Sequence, residues 1–184
     1  MSECRLKKTA TEAVITQRLQ KLELRQMIHS IIGKLLVVLL ALWILFSFVF
    51  GLSIVKDNGM SPALHEGDLA LYYRLQKDYV SGTAVVYSID GQQFFGRIAA
   101  VSGDAVLITE DGQLVINGYV QTDGNGTLTY PAENGCEYPV TIGEKEFFIL
   151  GDSREDAMDS RILGVISADR LDGKVITILR RRSI

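Results

Sequence analysis

The side chains able to do chemistry gather in three short stretches. Residues 59–68 read Gly-Met-Ser-Pro-Ala-Leu-His-Glu-Gly-Asp, residues 95–104 read Phe-Gly-Arg-Ile-Ala-Ala-Val-Ser-Gly-Asp, and residues 151–161 read Gly-Asp-Ser-Arg-Glu-Asp-Ala-Met-Asp-Ser-Arg. A serine hydroxyl becomes a nucleophile only with a base beside it. Ser61, ahead of Pro62, reads as a surface serine. Lys56 precedes Gly59 by three residues but adjoins Asp57, and reads as a solvated lysine rather than a desolvated base. His29 and His65 are the only histidines, and His65 sits in a Glu-Gly-Asp turn, which gives no serine–histidine pair. Asp152 and Asp159 match an acid pair in type alone. Arg154 and Arg161 stand beside them and would hold both carboxylates ionised, so the two cannot share a proton. His65, Glu66 and Asp68 lie too close together on one turn to cage an ion, so neither metal nor cofactor is expected.

The elements that must position these residues divide at a membrane. Leu35 to Val55 is 21 residues without a charge. At about 1.5 Å per helical residue such a run spans roughly the 30 Å of a bilayer core. It is longer than the apolar core of a cleaved leader, so it reads as an anchor. Ahead of it stand seven basic residues against three acidic, a net charge of +4, while the remainder carries −7. The positive-inside rule then puts residues 1–34 in the cytoplasm, 35–55 across the membrane once, and 56–184 outside the cell. Within the first segment, Thr11 to Ser30 reads as a basic amphipathic helix at the lipid headgroups, with Ile15, Leu19 and Leu22 on one face. Cys4 and Cys136 fall on opposite sides and cannot pair within one chain, leaving Cys136 as a packing residue. Mild acidity argues against nucleic acid as a partner and leaves the lipid bilayer as one.

The outer segment is a set of short strands rich in Val, Ile, Tyr and Phe: 69–74, 84–89, 93–100, 106–109, 114–116, 146–150 and 174–179. Turn signals separate them at 90–91, 103–104, 111–112, 117–118 and 123–126. Asn117-Gly118 between apolar runs predicts a hairpin with a type I′ turn. No long segment of helical period intervenes, so the fold class is mainly β. The expected architecture is an antiparallel, folded-over or barrel-like sheet behind one transmembrane helix.

Taken in order, the three stretches resemble the conserved boxes of the type I signal peptidases, membrane-anchored serine proteases with a Ser/Lys dyad. The first is similar to S-M-x-P-T-L-x-x-G-D, the second to K-R-V-x-G-x-P-G-D behind a large apolar residue, and the third to G-D-N-R-x-x-S-x-D-S-R. The resemblance implies the nucleophile position at Gly59, the base position at Gly96 and the serine supporting that base at Ala157. Asp57 takes the place where some members supply an oxyanion-hole hydroxyl, and a carboxylate there would repel a developing oxyanion. Glycine offers neither a hydroxyl nor an amine, so no catalytic residue is assigned.

The resemblance further implies a peptide-binding cleft at Asp57, Gly59, Met60, Pro62, Val85, Val86, Tyr87 and Gly96, with Tyr72 in its wall. It implies a structural network of Asp152, Arg154, Asp159, Ser160 and Arg161. Strand addition works through backbone groups, which glycine supplies as serine does. The chain is therefore expected to bind an extended secreted client rather than cut it. In this it is similar to the signal-peptidase-like factors of sortase-dependent pilus assembly in Gram-positive bacteria, with a pilin subunit and a sortase as partners. The alternative is an active type I signal peptidase that removes signal peptides from secreted proteins.

Overall fold

The computed structural model describes residues 2–76, 78–122 and 127–180, with side chains from Leu24 onward. The turn expected at 123–126 lies outside them. The chain forms two units, residues 1–47 and 48–184. Helix α1 (Ser2–Val49) makes up the first. Its stretch Leu24–Val49 is long and apolar enough to cross a membrane. The apolar run read as 35–55 is thus divided, because Phe50–Ile54 is a strand. Apolar content cannot tell the last turn of a membrane helix from a β-rich segment. The pattern can, since Gly51 and Ser53 are buried between exposed Leu52 and Ile54, a period of two.

Among the described residues of the second unit, eleven strands follow in chain order: β1 (Phe50–Ile54), β2 (Leu69–Tyr73), β3 (Ala84–Ile89), β4 (Gln92–Ala100), β5 (Ala105–Ile108), β6 (Leu114–Ile116), β7 (Tyr119–Gln121), β8 (Val140–Thr141), β9 (Glu146–Leu150), β10 (Ile166–Ser167) and β11 (Leu171–Leu179). A four-residue helix, α2 (Ser160–Leu163), precedes β10. One sheet has the order β1-β2-β11-β3-β4-β9-β10 and the other β7-β6-β5-β8. Every pairing is antiparallel. The seven expected strands are present with ends moved by a residue or a few, β7 is the second arm of the expected hairpin, and β1, β8, β10 and α2 add to them. The β6–β7 hairpin has Asn117 at φ 54° and Gly118 at φ 82°, the left-handed pair that a type I′ turn demands.

The larger sheet folds over on itself. Ser53 on β1 donates to Gln93 Oε1 on β4 at 2.8 Å, although three strands lie between them in the sheet order. Gln93 Nε2 and Ser88 Oγ both donate to Asp172 Oδ2, at 2.7 and 2.6 Å. Inside the fold, Val55, Met60, Leu64, Ala70, Tyr72, Val86 and Phe95 form one apolar cluster, which seats the 59–68 box directly on the sheet. Val85, Tyr87, Ile98, Phe147, Ile149 and Ile166 form a second, and the smaller sheet closes a third over Phe148 and Leu150.

Candidate active site

The three boxes meet. Gly59 leaves the loop after β1 and is buried; its carbonyl accepts from Ser153 N at 3.0 Å and its N–H donates to Asp57 Oδ1 at 2.9 Å. A Cβ placed on Gly59 would lie 3.1 Å from both Ala157 Cα and Asp57 Oδ1. Gly151 fits because it has no side chain, since a Cβ there would run into Ala157 Cβ and the Gly59 carbonyl. Positions 59 and 157, far apart in sequence, are therefore in van der Waals contact, and Asp57 closes the same corner.

Gly96 sits in β4 opposite Val85 of β3. A Cβ there would collide with Ile149 Cγ2 and come within 3.2 Å of Tyr87 Cε1. Tyr87 bridges this position to the third box by donating to the Met158 carbonyl at 2.8 Å. Burial, and then the charges of Asp159 and Asp57, push the Tyr87 hydroxyl far above the ordinary phenol range. It stays a neutral donor at working pH and cannot serve as a base.

The third box is held by charge. Asp159 is buried and caps α2, with Oδ1 accepting from Arg161 N at 3.0 Å and Oδ2 from Gly151 N at 3.0 Å. The Arg161 guanidinium lies on the same carboxylate, Nε to Oδ1 at 2.9 Å and Nη2 to Oδ2 at 3.0 Å. Arg161 Nη2 also donates to the Arg154 carbonyl, and Arg154 Nε to the Gly151 carbonyl at 2.8 Å. Arg154 Nη1 reaches Thr129 Oγ1, while Ser160 Oγ accepts from Ile149 N at 2.9 Å.

Asp152 faces Arg97 in a two-point pair, Nε to Oδ1 at 2.9 Å and Nη2 to Oδ2 at 2.6 Å. Arg97 was not singled out from the sequence, yet it ties the second box to the third. Its signal was available, since it is the one charged residue of β4. Thr129 was likewise missed, because nothing in its sequence neighbourhood marks a buried partner for Arg154.

Other positions fall elsewhere than expected. Met60, Val85, Val86 and Tyr87 are fully buried, so their side chains back the site from inside the core. Pro62 does border open space. Ser61 is half-buried two residues past Gly59, and Lys56 and His65 are exposed. Among the described residues no group of His, Cys, Asp and Glu is arranged to hold a metal. A cavity of about 470 Å³ borders the site. Its lining combines polar residues, Ser81, Arg97, Asp152 and Arg154 among them, with Pro62, Ala63 and Gly82 and the apolar Ile98, Leu114, Ile116 and Leu150.

Comparison with known proteins follows the same outline. A sequence model of the family described as signal peptidase, peptidase S26, matches residues 28–179. Signal peptidase I of Bacillus licheniformis is 30% identical over 159 residues, covering 76% of this chain and 81% of that protein. Signal peptidase I S of Bacillus subtilis (strain 168) is 29% identical over 155 residues, covering 77% and 83%. Among solved structures, a signal peptidase I from Enterococcus faecalis V583 overlays with a TM-score of 0.43 at 21% identity, covering 55% of this chain and 98% of the other.

These relatives correct one expectation. The chain was read as a dead, binding-only factor of pilus assembly, with pilin and sortase as partners. The relatives it matches over most of their length are named as signal peptidases, and their names mention neither pili nor sortase. The expectation had leaned on the residue types at 59, 96 and 157. A missing side chain states what that one position cannot do and leaves open what the neighbouring groups do.

Proposed function

Because this chain belongs to the signal peptidase, peptidase S26 family, we propose that it works as a signal peptidase I, removing signal peptides from the precursors of secreted proteins. The observation that carries this reading is the convergence of the three boxes around Gly59, with Ala157, Gly151 and Ser153 all against it. The substrate is a membrane-held precursor. The charge split supports the basic N-terminal end of α1 inside and the β unit outside, as in a single-pass protein of the cell membrane. Protease added to intact protoplasts should then digest the β unit and spare the N-terminus.

On this reading Gly59 and Gly96 hold the nucleophile and base positions while carrying no reacting atom, so hydrolysis draws its groups from the surrounding shell. Two serines are neighbours of Gly59 through the backbone or in the chain. Ser153 follows from the backbone contact, and its Oγ donates to Asp156 Oδ2 at 3.1 Å. Ser61 is the other, two residues on. The deciding experiment incubates the full chain in liposomes with a secreted precursor and reads new N-termini by mass spectrometry. A single cut at the signal boundary, lost in Ser153→Ala or in Ser61→Ala, is the expected result. No product at equimolar protein refutes the assignment.

A further inference from the structure

The cavity beside the site is lined by polar and apolar side chains alike, and part of its wall comes from the residues that follow each box glycine. Pro62 and Ala63 follow Gly59, Arg97 to Ala99 follow Gly96, and Asp152 and Arg154 follow Gly151. It therefore lies on one flank of Gly59 and is continuous with the site through Asp152 and Arg97, which are paired to each other. Leu114, Ile116 and Leu150 also line it, and they belong to the apolar cluster under the smaller sheet.

At Ser81–Gly82 part of the rim is already engaged within the fold. Gly82 N already donates to the Ile98 carbonyl at 2.8 Å, the Gly82 carbonyl accepts from Arg97 Nη1 at 2.9 Å, and Ser81 Oγ donates to the Ala99 carbonyl at 2.9 Å. What the cavity offers is volume and a lining in which apolar side chains stand among polar groups. A pocket of that kind takes a side chain rather than a backbone.

We propose that this cavity is a subsite for the precursor on the mature side of the cut bond, accepting an apolar side chain a few residues beyond it. This rests on the signal peptidase reading. A signal peptide is held by the bilayer, and residues 50–58 are the stretch of this chain that follows the candidate span. The signal half of a precursor accordingly runs along 50–58, and the half that leaves passes Gly59 toward Pro62 and Ala63. The small sheet then has a role in specificity. Its Leu114 and Ile116 select among mature sequences, whereas the corner at Asp57 and Gly59 meets the signal half.

Cross-linking tests the direction. The full chain, with Cys4 and Cys136 replaced by Ser, is put in liposomes carrying Asp57→Cys, Ala63→Cys or Ser81→Cys. The substrate is a synthetic precursor peptide with an apolar signal segment, a polar mature segment and one cysteine at a series of positions. Under a short bismaleimide, Ala63→Cys and Ser81→Cys should couple to cysteines on the mature side at least several-fold better than to those on the signal side. Asp57→Cys should show the reverse order.

A second measurement reads the apolar lining. At the coupled mature position a precursor with aspartate should bind about tenfold more weakly than one with leucine, and the isolated signal segment should bind equally well in both cases. If Asp57→Cys couples while Ala63→Cys and Ser81→Cys do not, or couple to the signal side, the subsite is wrong and the function stands. If none of the three couples, the function fails and the subsite with it.

Discussion

Replacing Asp159 by Asn should unsettle the site more than any other isosteric change. The Asp159 carboxylate is 1% exposed and the Arg161 side chain 9%, so the pair is shielded from water. Asn keeps the shape and one acceptor oxygen but loses the charge that offsets the guanidinium. Removing one partner of a buried pair costs about 3–5 kcal/mol, because the other charge is left uncompensated. Asp159→Asn should therefore lose about 3 kcal/mol, the low end, since the amide still accepts one backbone N–H. Asp159→Ala also strips the α2 cap, about 1 kcal/mol, and orphans Gly151 N–H, about 1–3 kcal/mol, for a total near 5 kcal/mol.

Urea unfolding of the full chain in detergent, followed by circular dichroism, measures both. Asp152→Asn is the control. Its pair with Arg97 is 39% and 20% exposed, so the loss should be about 0.5–1 kcal/mol and shrink as salt is added. A loss for Asp159→Asn under about 1 kcal/mol, or one that salt abolishes, would refute the view that a buried charge pair fixes this corner.

Four further outcomes can be checked with the same preparation. Gly59→Ser should fold with a loss under about 1.5 kcal/mol, since its Cβ meets Ala157 and Asp57 at 3.1 Å and a shift of a few tenths relieves it. Gly96→Ala and Gly96→Lys should lose similar amounts, about 1–3 kcal/mol, because the collision with Ile149 begins at Cβ; a tolerated alanine would contradict this. Gly118→Ala should cost about 1–2 kcal/mol in midpoint stability, as φ at 82° suits glycine. Burial, and then Glu137, raise the Cys136 thiol, so at mildly alkaline pH iodoacetamide should alkylate it more slowly than free cysteine, and Glu137→Gln should speed the reaction.

The β character and most strands were legible because alternation and Gly-Asp or Asn-Gly turns are local signals. What escaped was of two kinds. Two-residue strands such as β8 and β10 are too short to show a period, and they exist because a neighbour pairs with them. β1 was hidden by its own apolarity, since Phe50–Ile54 extends the run that precedes it without a charge or a turn to mark the change. In the site, the boxes announced where residues belong in a family but not which way they face. Val85, Val86 and Tyr87 follow one another on β3, and alternation alone would have sent one of them outward. All three are buried because β3 is central in a sheet that folds over itself. Arg97 was marked as the one charged residue of β4, but its partner, Asp152 in the loop after β9, leaves no trace in its own neighbourhood.

The bond from Ser53 to Gln93 has a consequence for how this protein survives its surroundings. A membrane surface crossed by unfolded, extended chains exposes every bare strand edge to indiscriminate pairing, the route by which sheets aggregate. Of the two edges of the large sheet, β1 is drawn back over the fold by that bond and β10 is only two residues long. The small sheet ends in β7, of three residues, and β8, of two. No edge among the described residues is both long and free of a tie across the fold, which limits edge-to-edge pairing between copies of this protein. Ser53→Ala should leave the fold intact and raise the tendency of concentrated protein to self-associate, because the longest edge would lose the tie that turns it away from strangers.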